Sequence, residues 1–546
     1  MGGCFMKLKK LICVCLTLIM IFAVLAPAAS AAEKQDLPII FVHGITGEIY
    51  NKDGMRTYPD NIELSDVITD KELMAPLLAK LGISAVTGEW ELYANALADT
   101  LIEYLSPSAL DKNGEPYAGD RFCHEGNHIT KGWTEEGIKS RCRKSNFLIS
   151  DFQYSYDWRC DYNSYVDDLH ELIKTIIKYT GKTQVNLLGL CLGGALVEDY
   201  LVKYGDEGLV NTCISWASAS GGMSLANTIF SDSLSLDPDV LERFINYYFT
   251  YDSSGKNMID DTGLLELLIS GVALANQLKL LGFGTDVVSD FWYSFSKITM
   301  PKVLRETFAT YPSYWENLSP EYFEKSKKFV FGGYEDEYAG LIAKIDKYYD
   351  EVSSHHKENF EKFHDEYGVK CAFVTHYGAL NYPILVDADE PTDNLTSVRC
   401  NTMGATVGTY SNKISDAYIE NAKKNGTDKY ISPDRLIDMS TAAMPDNTWA
   451  INNTNHDSRN SCIYDLFMTI FRSVDEVTVN TFSQYPQYLV LDKGTNTLLP
   501  MTEDNYVDII SIEKDNSKFA PLIKFFDFLK KMIALIKEFF TVRLFN

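Results

Sequence analysis

A cysteine stands at the centre of a glycine-rich step between two apolar segments. The step Gly189 to Gly194 reads GLCLGG, with the apolar run Val185 to Leu190 before it and a helical pattern from Ala195 to Tyr204 after it. A sharp turn between a strand and a helix needs small flanking residues and lifts its central side chain clear of the sheet. The pattern therefore predicts that Cys191 is a nucleophile above a helix N-terminus, where partial positive charge favours an anion. A buried thiol packed between strand and helix is the alternative.

A second set of candidate residues follows the N-terminal strand that we expect from Leu37 to Val42. The next residues read HGITG, from His43 to Gly47. A glycine-bordered turn after a strand can expose a backbone N–H beside a reacting carbonyl group. We expect Ile45 to supply this donor and His43 to shape the loop rather than to act as a base.

Strands that alternate with helices must hold these residues in place. We predict strands at Phe147 to Tyr154, Gln184 to Leu190 and Thr212 to Ala217, with a helix from Tyr162 to Tyr179 between the first two. Such alternation is typical of an α/β fold with a mostly parallel sheet and right-handed crossovers. Further strands are expected at Val369 to Thr375 and Thr448 to Ile451, followed by a closing helix from Cys462 to Phe471.

The alternation of strands and helices divides the chain into segments. The predicted core comprises 32–222 and 367–475, and a helical insertion at 223–366 interrupts it. An insertion at this point is expected to lie above the carboxyl ends of the strands as a lid. A C-terminal extension, 476–518, and an amphipathic helix, 519–546, complete the chain.

Residues 1–31 have the pattern of a secretory signal peptide. Lys7, Lys9 and Lys10 precede an apolar stretch, and Ala29-Ser30-Ala31 is a small-residue cleavage motif. The chain carries a net charge of −25, and this segment contains lysines but no acidic residue. The acidic balance argues against nucleic acid as a partner, and the protein is expected to be secreted.

Metal and cofactor binding are not predicted. Cys123, His124, His128 and Cys142 do not have the spacing of a zinc module, and a disulfide between the two cysteines or two free thiols is expected instead. At the C-terminus, 519–546 has a wide apolar face and basic residues. This helix is expected either to dock on the domain or to contact a membrane or lipid surface, which would place the protein at the cell surface.

Read in chain order as nucleophile, acid and base, the candidates are Cys191, Asp428 and His456. This is the order that the α/β-hydrolase sheet imposes. Asp434 and Asp438 remain alternatives for the acid. His376, at the end of a predicted strand, remains an alternative for the base.

The sequence resembles the lecithin:cholesterol acyltransferase-like lipases of the α/β-hydrolase fold. The matching motifs are FVHGITG at 41–47, YDWR at 156–159, the elbow at 189–194, and Asp428 with His456. The resemblance implies hydrolysis of lipid-like acyl esters, or transfer of the acyl group to an alcohol. It also implies that Asp428 orients His456, that His456 activates the nucleophile, and that the N–H groups of Ile45 and Leu192 bind the oxyanion.

The chain departs from these lipases at the nucleophile itself. Cys191 stands where they have serine and Leu190 where they usually have histidine, while the Gly-Leu-Cys-Leu-Gly-Gly string is similar to the elbow of dienelactone hydrolases. A thiol is strongly nucleophilic, so a thioester acyl-enzyme is chemically feasible. The alternative function is a catalytically inactive α/β-hydrolase-fold protein that binds lipid or cell-surface ligands.

Overall fold

The computed structural model of the protein describes residues 35–59, 71–123, 128–129, 135–143, 146–234, 240, 243 and 285–509. The predicted signal peptide, the C-terminal helix 519–546, His124 and part of the insertion lie outside these residues.

A nine-stranded sheet dominates the fold. The strands of the described residues are β1 (Ile39–Val42), β2 (Glu48–Tyr50), β3 (Arg56–Tyr58), β4 (Arg121–Cys123), β5 (His128–Ile129), β6 (Phe152–Tyr154), β7 (Val185–Leu190), β8 (Val210–Trp216), β9 (Lys370–His376), β10 (Thr406–Val407), β11 (Ile437–Asp438), β12 (Thr448–Asn452), β13 (Tyr488–Asp492) and β14 (Thr497–Pro500). The order in the nine-stranded sheet is β14-β13-β12-β9-β8-β7-β1-β6-β5. Its neighbouring strands are parallel throughout, except that the edge strand β14 runs antiparallel to β13.

Helices flank this sheet, and together they confirm the predicted α/β class. The α-helices of the described residues are α1 (Lys71–Thr87), α2 (Trp90–Leu105), α3 (Glu135–Cys142), α4 (Asn163–Thr180), α5 (Leu192–Tyr204), α6 (Ser224–Phe230), α7 (Thr285–Ser294), α8 (Met300–Glu306), α9 (Pro312–Glu316), α10 (Pro320–Phe331), α11 (Ala339–Glu351), α12 (His356–Asp365), α13 (Val398–Asn401), α14 (Asp416–Asn425) and α15 (Ser461–Arg472).

The central strands form because their sequences are apolar on both faces. Every residue of β7 and β8 is buried, as expected for parallel strands covered by helices on both sides. Helix α4 has one apolar face, which includes the buried Val166, Leu169 and Ile173, and it ends where Gly181 adopts a left-handed conformation with φ of 70°. Sequence pattern and burial therefore agree in this part of the chain.

Two expectations about the strands need correction. The strand predicted from Phe147 to Tyr154 covers only Phe152–Tyr154, because Asp151 closes a turn by accepting a hydrogen bond from the backbone N–H of Leu148 (2.9 Å). Strands β13 and β14 lie inside the segment expected to be a C-terminal extension, yet both extend the main sheet.

The described part of the insertion 223–366 is helical. Helix α8 packs on α2, and Tyr314 stacks on Trp158 with ring centroids 6.1 Å apart. Near the end of the segment, His356 Nδ1 hydrogen-bonds to Glu198 on α5 at 2.8 Å. The insertion is thus attached to the helix that follows the cysteine turn.

The eight cysteines among the described residues, Cys123 and Cys142 included, are all free thiols. Within the same residues, no helix is long and apolar enough to cross a membrane. They also contain no cluster of three or more side chains suited to hold a metal ion.

Candidate active site

The turn between β7 and α5 holds Cys191 in a strained conformation. Its φ of 56° and ψ of −126° are rare for a residue with a side chain, and such strain is typical of functional sites. The surrounding packing explains the glycines. A Cβ at Gly193 would collide with the carbonyl oxygen of Val42, and a Cβ at Gly189 would lie 2.7 Å from the Cα of Gly194. The glycines of the motif are therefore required by the close approach of α5 to the strands.

Cys191 lies on the wall of a cavity of about 680 Å³. The residue is only 3% exposed, but the cavity also contains His456 and the loop that follows β1. Its walls combine apolar and polar side chains, namely Phe41, His43, Ile45, Thr46, Tyr58, Leu148, Ile149, Ser150, Gln153, Leu190, Asp457, Arg459, Tyr464 and Met468. The thiol therefore faces a space large enough for a small ligand rather than solid core.

The imidazole of His456 hydrogen-bonds to the carboxylate of Asp393. The distance from Nδ1 to Oδ2 is 2.7 Å, and the backbone N–H of His456 donates to the Asp393 carbonyl oxygen, also at 2.7 Å. His456 follows β12 and Asp393 follows β9, and these strands are neighbours in the sheet. The two residues meet because the loops after adjacent parallel strands leave the same edge.

Asp393 is held rigidly by its own loop. Its Oδ1 accepts hydrogen bonds from the backbone N–H groups of Leu395 (2.9 Å) and Thr396 (2.7 Å), and its Oδ2 accepts one from the Thr396 hydroxyl (3.0 Å). The side chain is fully buried. A buried carboxylate with this many donors is fixed in both position and charge.

The two groups shift each other's titration. Burial alone would lower the pKa of His456, but the charge and hydrogen bond of Asp393, together with the nearby charge of Cys191, raise its pKa well above the usual value. Burial raises the pKa of Asp393, but the charge and hydrogen bond of His456 outweigh this effect and lower it. The carboxylate therefore stabilises the charged imidazole that forms when the ring accepts a proton.

The second ring nitrogen of His456 is available for chemistry. Nε2 is buried and has no hydrogen-bond partner among the described residues, while Cys191 is close enough to affect the pKa of the ring. A neutral imidazole whose Nδ1–H is held by a carboxylate presents Nε2 as a proton acceptor. Cys191, His456 and Asp393 thus have the arrangement of a nucleophile, a base and an orienting acid.

The acid expected from the sequence is in a different place. Asp428 is exposed, in the short 3₁₀ helix Asp428–Tyr430, and the carboxylate that hydrogen-bonds to His456 is that of Asp393. Asp434 accepts hydrogen bonds from the hydroxyl groups of Tyr377 and Ser432. The predicted partner of His456, Asp428, is therefore wrong, and Asp393 is the partner because the loop directly after β9 brings it to the imidazole.

Asp438, the remaining alternative for the acid, is also occupied elsewhere. It accepts hydrogen bonds from the Tyr418 hydroxyl at 2.8 Å and from the backbone N–H of Ser440 at 2.8 Å.

His376, the alternative base, has protein partners on both ring nitrogens. The indole N–H of Trp216 donates to Nε2 at 3.0 Å, and Nδ1 lies 2.9 Å from the carbonyl oxygen of Asn455. Burial lowers the pKa of His376 to about 4, so the ring is neutral at physiological pH. With no nitrogen facing the cavity, His376 is not placed to act as a base.

The predicted oxyanion donors lie on two sides of Cys191. Leu192 is the first residue of α5, so its N–H has no acceptor within the helix. Ile45 lines the cavity, and its N–H makes no hydrogen bond with another described residue. Gly44 brings this loop against the thiol, since a Cβ there would lie 3.2 Å from Cys191 Sγ.

The YDWR segment forms a buried ion pair behind the site. Arg159 binds Asp157 through two side-chain hydrogen bonds of 3.0 and 2.7 Å, and it also donates to the carbonyl oxygen of Ser108 at 2.6 Å. The pKa of Arg159 is raised, since the effect of Asp157 exceeds that of burial. None of these hydrogen bonds involves Cys191, and the ion pair fixes the loop between β6 and α4.

Of the site residues predicted from the sequence, Cys191, His456 and Ile45 line one cavity and Leu192 follows Cys191, whereas Asp393 was missed. Asp393 is one of eight aspartates between the strand predicted at Val369 to Thr375 and the strand predicted at Thr448 to Ile451. Only the adjacency of these two strands in the sheet distinguishes it from the others.

Comparisons of the chain with protein-family models, with curated proteins and with solved structures find no match. The geometry of this site is consequently the basis for assigning a function.

Proposed function

We propose that the protein is an acyl-ester hydrolase of the α/β-hydrolase fold that uses Cys191, His456 and Asp393 as a catalytic triad. The observation that carries the proposal is the 2.7 Å hydrogen bond from His456 Nδ1 to Asp393, with the unpartnered Nε2 beside the cavity that Cys191 lines. The strained turn at Cys191 supports it independently, because such a conformation persists only where the surrounding structure enforces it.

The chemistry would proceed in two acyl-transfer steps. His456 Nε2 takes the thiol proton while Sγ of Cys191 attacks the ester carbonyl carbon, and the resulting oxyanion accepts hydrogen bonds from the N–H groups of Ile45 and Leu192. The C–O bond then breaks, and His456 returns the proton to the departing alcohol, which leaves a thioester.

In the second step, His456 removes a proton from water while the water oxygen attacks the thioester carbonyl. Collapse of this intermediate releases the carboxylic acid, and His456 returns the proton to the sulfur. An alcohol in place of water would yield a new ester, so hydrolysis and acyl transfer share one mechanism.

The cavity wall supports an apolar acyl group as part of the substrate. Ile45, Leu148, Ile149 and Met468 provide aliphatic or thioether surface in the cavity, and Tyr464 adds an aromatic ring. Such walls with a few polar groups are typical of small-molecule sites. Lipid-like esters, suggested by the motifs, fit this lining. The secreted location and the lipid contact through 519–546 stay predictions from the sequence.

Ester turnover tests the proposal. Wild-type protein, Cys191→Ala and Cys142→Ala are assayed with p-nitrophenyl esters of short and long acyl chains. Cys142 is the matched control, because it is also a buried free thiol but lies on α3, away from the cavity. We expect Cys191→Ala to lose on the order of 10⁴-fold or more in kcat and Cys142→Ala to keep wild-type activity.

Two outcomes would contradict the proposal. Turnover that survives in Cys191→Ala would remove the thiol from the mechanism. A wild-type protein that binds lipid vesicles but cleaves none of the esters would support the alternative, an inactive binding protein on the same scaffold.

A further inference from the structure

A chain of hydrogen bonds connects the cysteine turn with the loop that carries His456. The backbone N–H of Cys191 donates to the carbonyl oxygen of Trp216 at 3.2 Å. The indole N–H of the same tryptophan donates to His376 Nε2 at 3.0 Å, and His376 Nδ1 lies 2.9 Å from the carbonyl oxygen of Asn455. Asn455 immediately precedes His456, so the chain runs from the nucleophile to the base behind the reacting atoms.

The donor chemistry fixes the direction of this chain. An indole N–H can only donate, so His376 Nε2 must be the acceptor. In a neutral imidazole the proton is then on Nδ1, which donates to the Asn455 carbonyl oxygen. The opposite tautomer would set a proton against the indole proton and a lone pair against a carbonyl oxygen.

This chain of hydrogen bonds is rigid at its centre. Trp216 and His376 are completely buried. The indole packs edge-on against Phe467, with ring centroids 5.0 Å apart, and against Tyr464 at 5.8 Å. Trp216 ends β8 and His376 ends β9, so neighbouring strands of the sheet hold both rings.

The loop of His456 is also held by hydrogen bonds other than that of His376, among them the Thr454 backbone N–H to the Tyr377 carbonyl oxygen at 3.2 Å. The Asn455 backbone N–H donates to the Ser458 hydroxyl at 2.9 Å, and the Thr454 hydroxyl donates to the Ile451 carbonyl oxygen at 2.6 Å. The Asp393 bonds hold the imidazole from the opposite side. Among these contacts, the His376 bond is the one that ties the residue before His456 to the strands.

We propose that His376 is a positioning residue for the catalytic base: through the Asn455 carbonyl group it sets the distance between His456 Nε2 and Cys191, and Trp216 holds it in the required tautomer. The inference rests on the proposed function and deepens it. Neither ring touches the substrate, so substitution should slow the chemical step and leave substrate binding in the cavity unchanged.

The test compares His376→Leu, His376→Asn and Trp216→Phe. Leucine removes both hydrogen bonds, whereas asparagine keeps an N–H donor near the former position of Nδ1. Phenylalanine keeps the aromatic packing of Trp216 but removes the indole donor. The matched control is His170→Leu, because His170 is a buried histidine that stacks on Tyr204, remote from the cavity.

We expect His376→Leu to lower kcat by about 10- to 100-fold, with KM within about twofold, because a small displacement of a catalytic group has effects of this size. His376→Asn should recover part of the loss, and Trp216→Phe should fall between wild type and His376→Leu. The rate at which iodoacetamide alkylates Cys191 should drop in the same order, and its pH profile should change. His170→Leu should leave kcat and the alkylation profile as in wild type.

The outcomes separate this inference from the proposed function. A wild-type protein without ester turnover overturns both. Wild-type turnover with unchanged kcat in His376→Asn and Trp216→Phe overturns the positioning role alone, even if His376→Leu fails to fold. An equal loss in His170→Leu, or no recovery with asparagine, shows that general destabilisation explains the effect and also overturns it.

Discussion

Replacing Asp393 with asparagine tests the candidate site at the residue that the sequence did not predict. The backbone N–H groups of Leu395 and Thr396 donate to Oδ1, so the carbonyl oxygen of the asparagine side chain should occupy that position. The new NH₂ group then faces His456 Nδ1 and donates to it. This contact holds the ring proton on Nε2, where it blocks transfer from the Cys191 thiol.

The size of the effect follows from the wrong tautomer. The equivalent substitution in a serine triad lowers kcat by about 10⁴-fold. A thiol depends less on its base, because a few per cent is already ionised near neutral pH, so we expect a loss of about 10²- to 10⁴-fold in kcat/KM. This corresponds to about 3 to 5.5 kcal/mol of transition-state stabilisation. The backbone bond from His456 N to Asp393 O survives, so the fold should remain.

The assay measures kcat/KM with a p-nitrophenyl ester for wild type, Asp393→Asn and Asp428→Asn. Asp428 is the matched control, since it is an exposed aspartate and the carboxylate that hydrogen-bonds to His456 is that of Asp393. We expect Asp428→Asn to behave as wild type. Activity of Asp393→Asn within about threefold of wild type, or a large loss in Asp428→Asn, would refute the reasoning about the acid.

Three further predictions follow from the packing and charges. Gly44→Ala should lower ester turnover and the alkylation rate of Cys191 by about 10-fold or more, because the new Cβ would lie 2.7 Å from the cysteine Cβ. In the control Gly82→Ala, the new Cβ meets open space on α1, so the free energy of unfolding in urea should instead rise by about 0.5–1 kcal/mol. Since the pKa of His456 is raised in the fold, the stability contributed by its charged ring is fully present below about pH 6.5 and is lost as pH rises through the folded-state pKa. The difference in unfolding free energy between wild type and His456→Gln should therefore shrink as pH rises above about 6.5. Arg159→Met should lower the unfolding free energy by about 3–5 kcal/mol in urea titrations, because it leaves the partner carboxylate buried without a counter-ion.

The features that local patterns encode were predictable from the sequence. The cysteine turn, strand β7 and helices α4 and α15 depend on apolar periodicity and on glycines that the backbone geometry requires, and α4 and α15 begin and end within one residue of the predicted bounds. The α/β class follows from the same alternation of strands and helices. His456 was recognisable because a strand leads directly into its loop.

The acid was not predictable in the same way, because its selection depends on the order of strands in space. Asp393 and His456 are 63 residues apart, and the segment between them contains several other aspartates. Only the adjacency of β9 and β12 brings the loop after β9 to the imidazole. The local pattern favoured Asp428, which follows a glycine in a loop and precedes apolar residues, whereas the sheet topology selects Asp393.

The arrival of the three groups from separate strands has a consequence for biosynthesis. Cys191 is translated early, directly after β7, whereas His456 follows β12 and can reach the thiol only after that strand has docked beside β9. A nascent chain, or a fragment that ends before β12, therefore carries the thiol without its base. Under the proposed mechanism, activity appears only when β12 is in place, so ester turnover would report the docking of β12 beside β9.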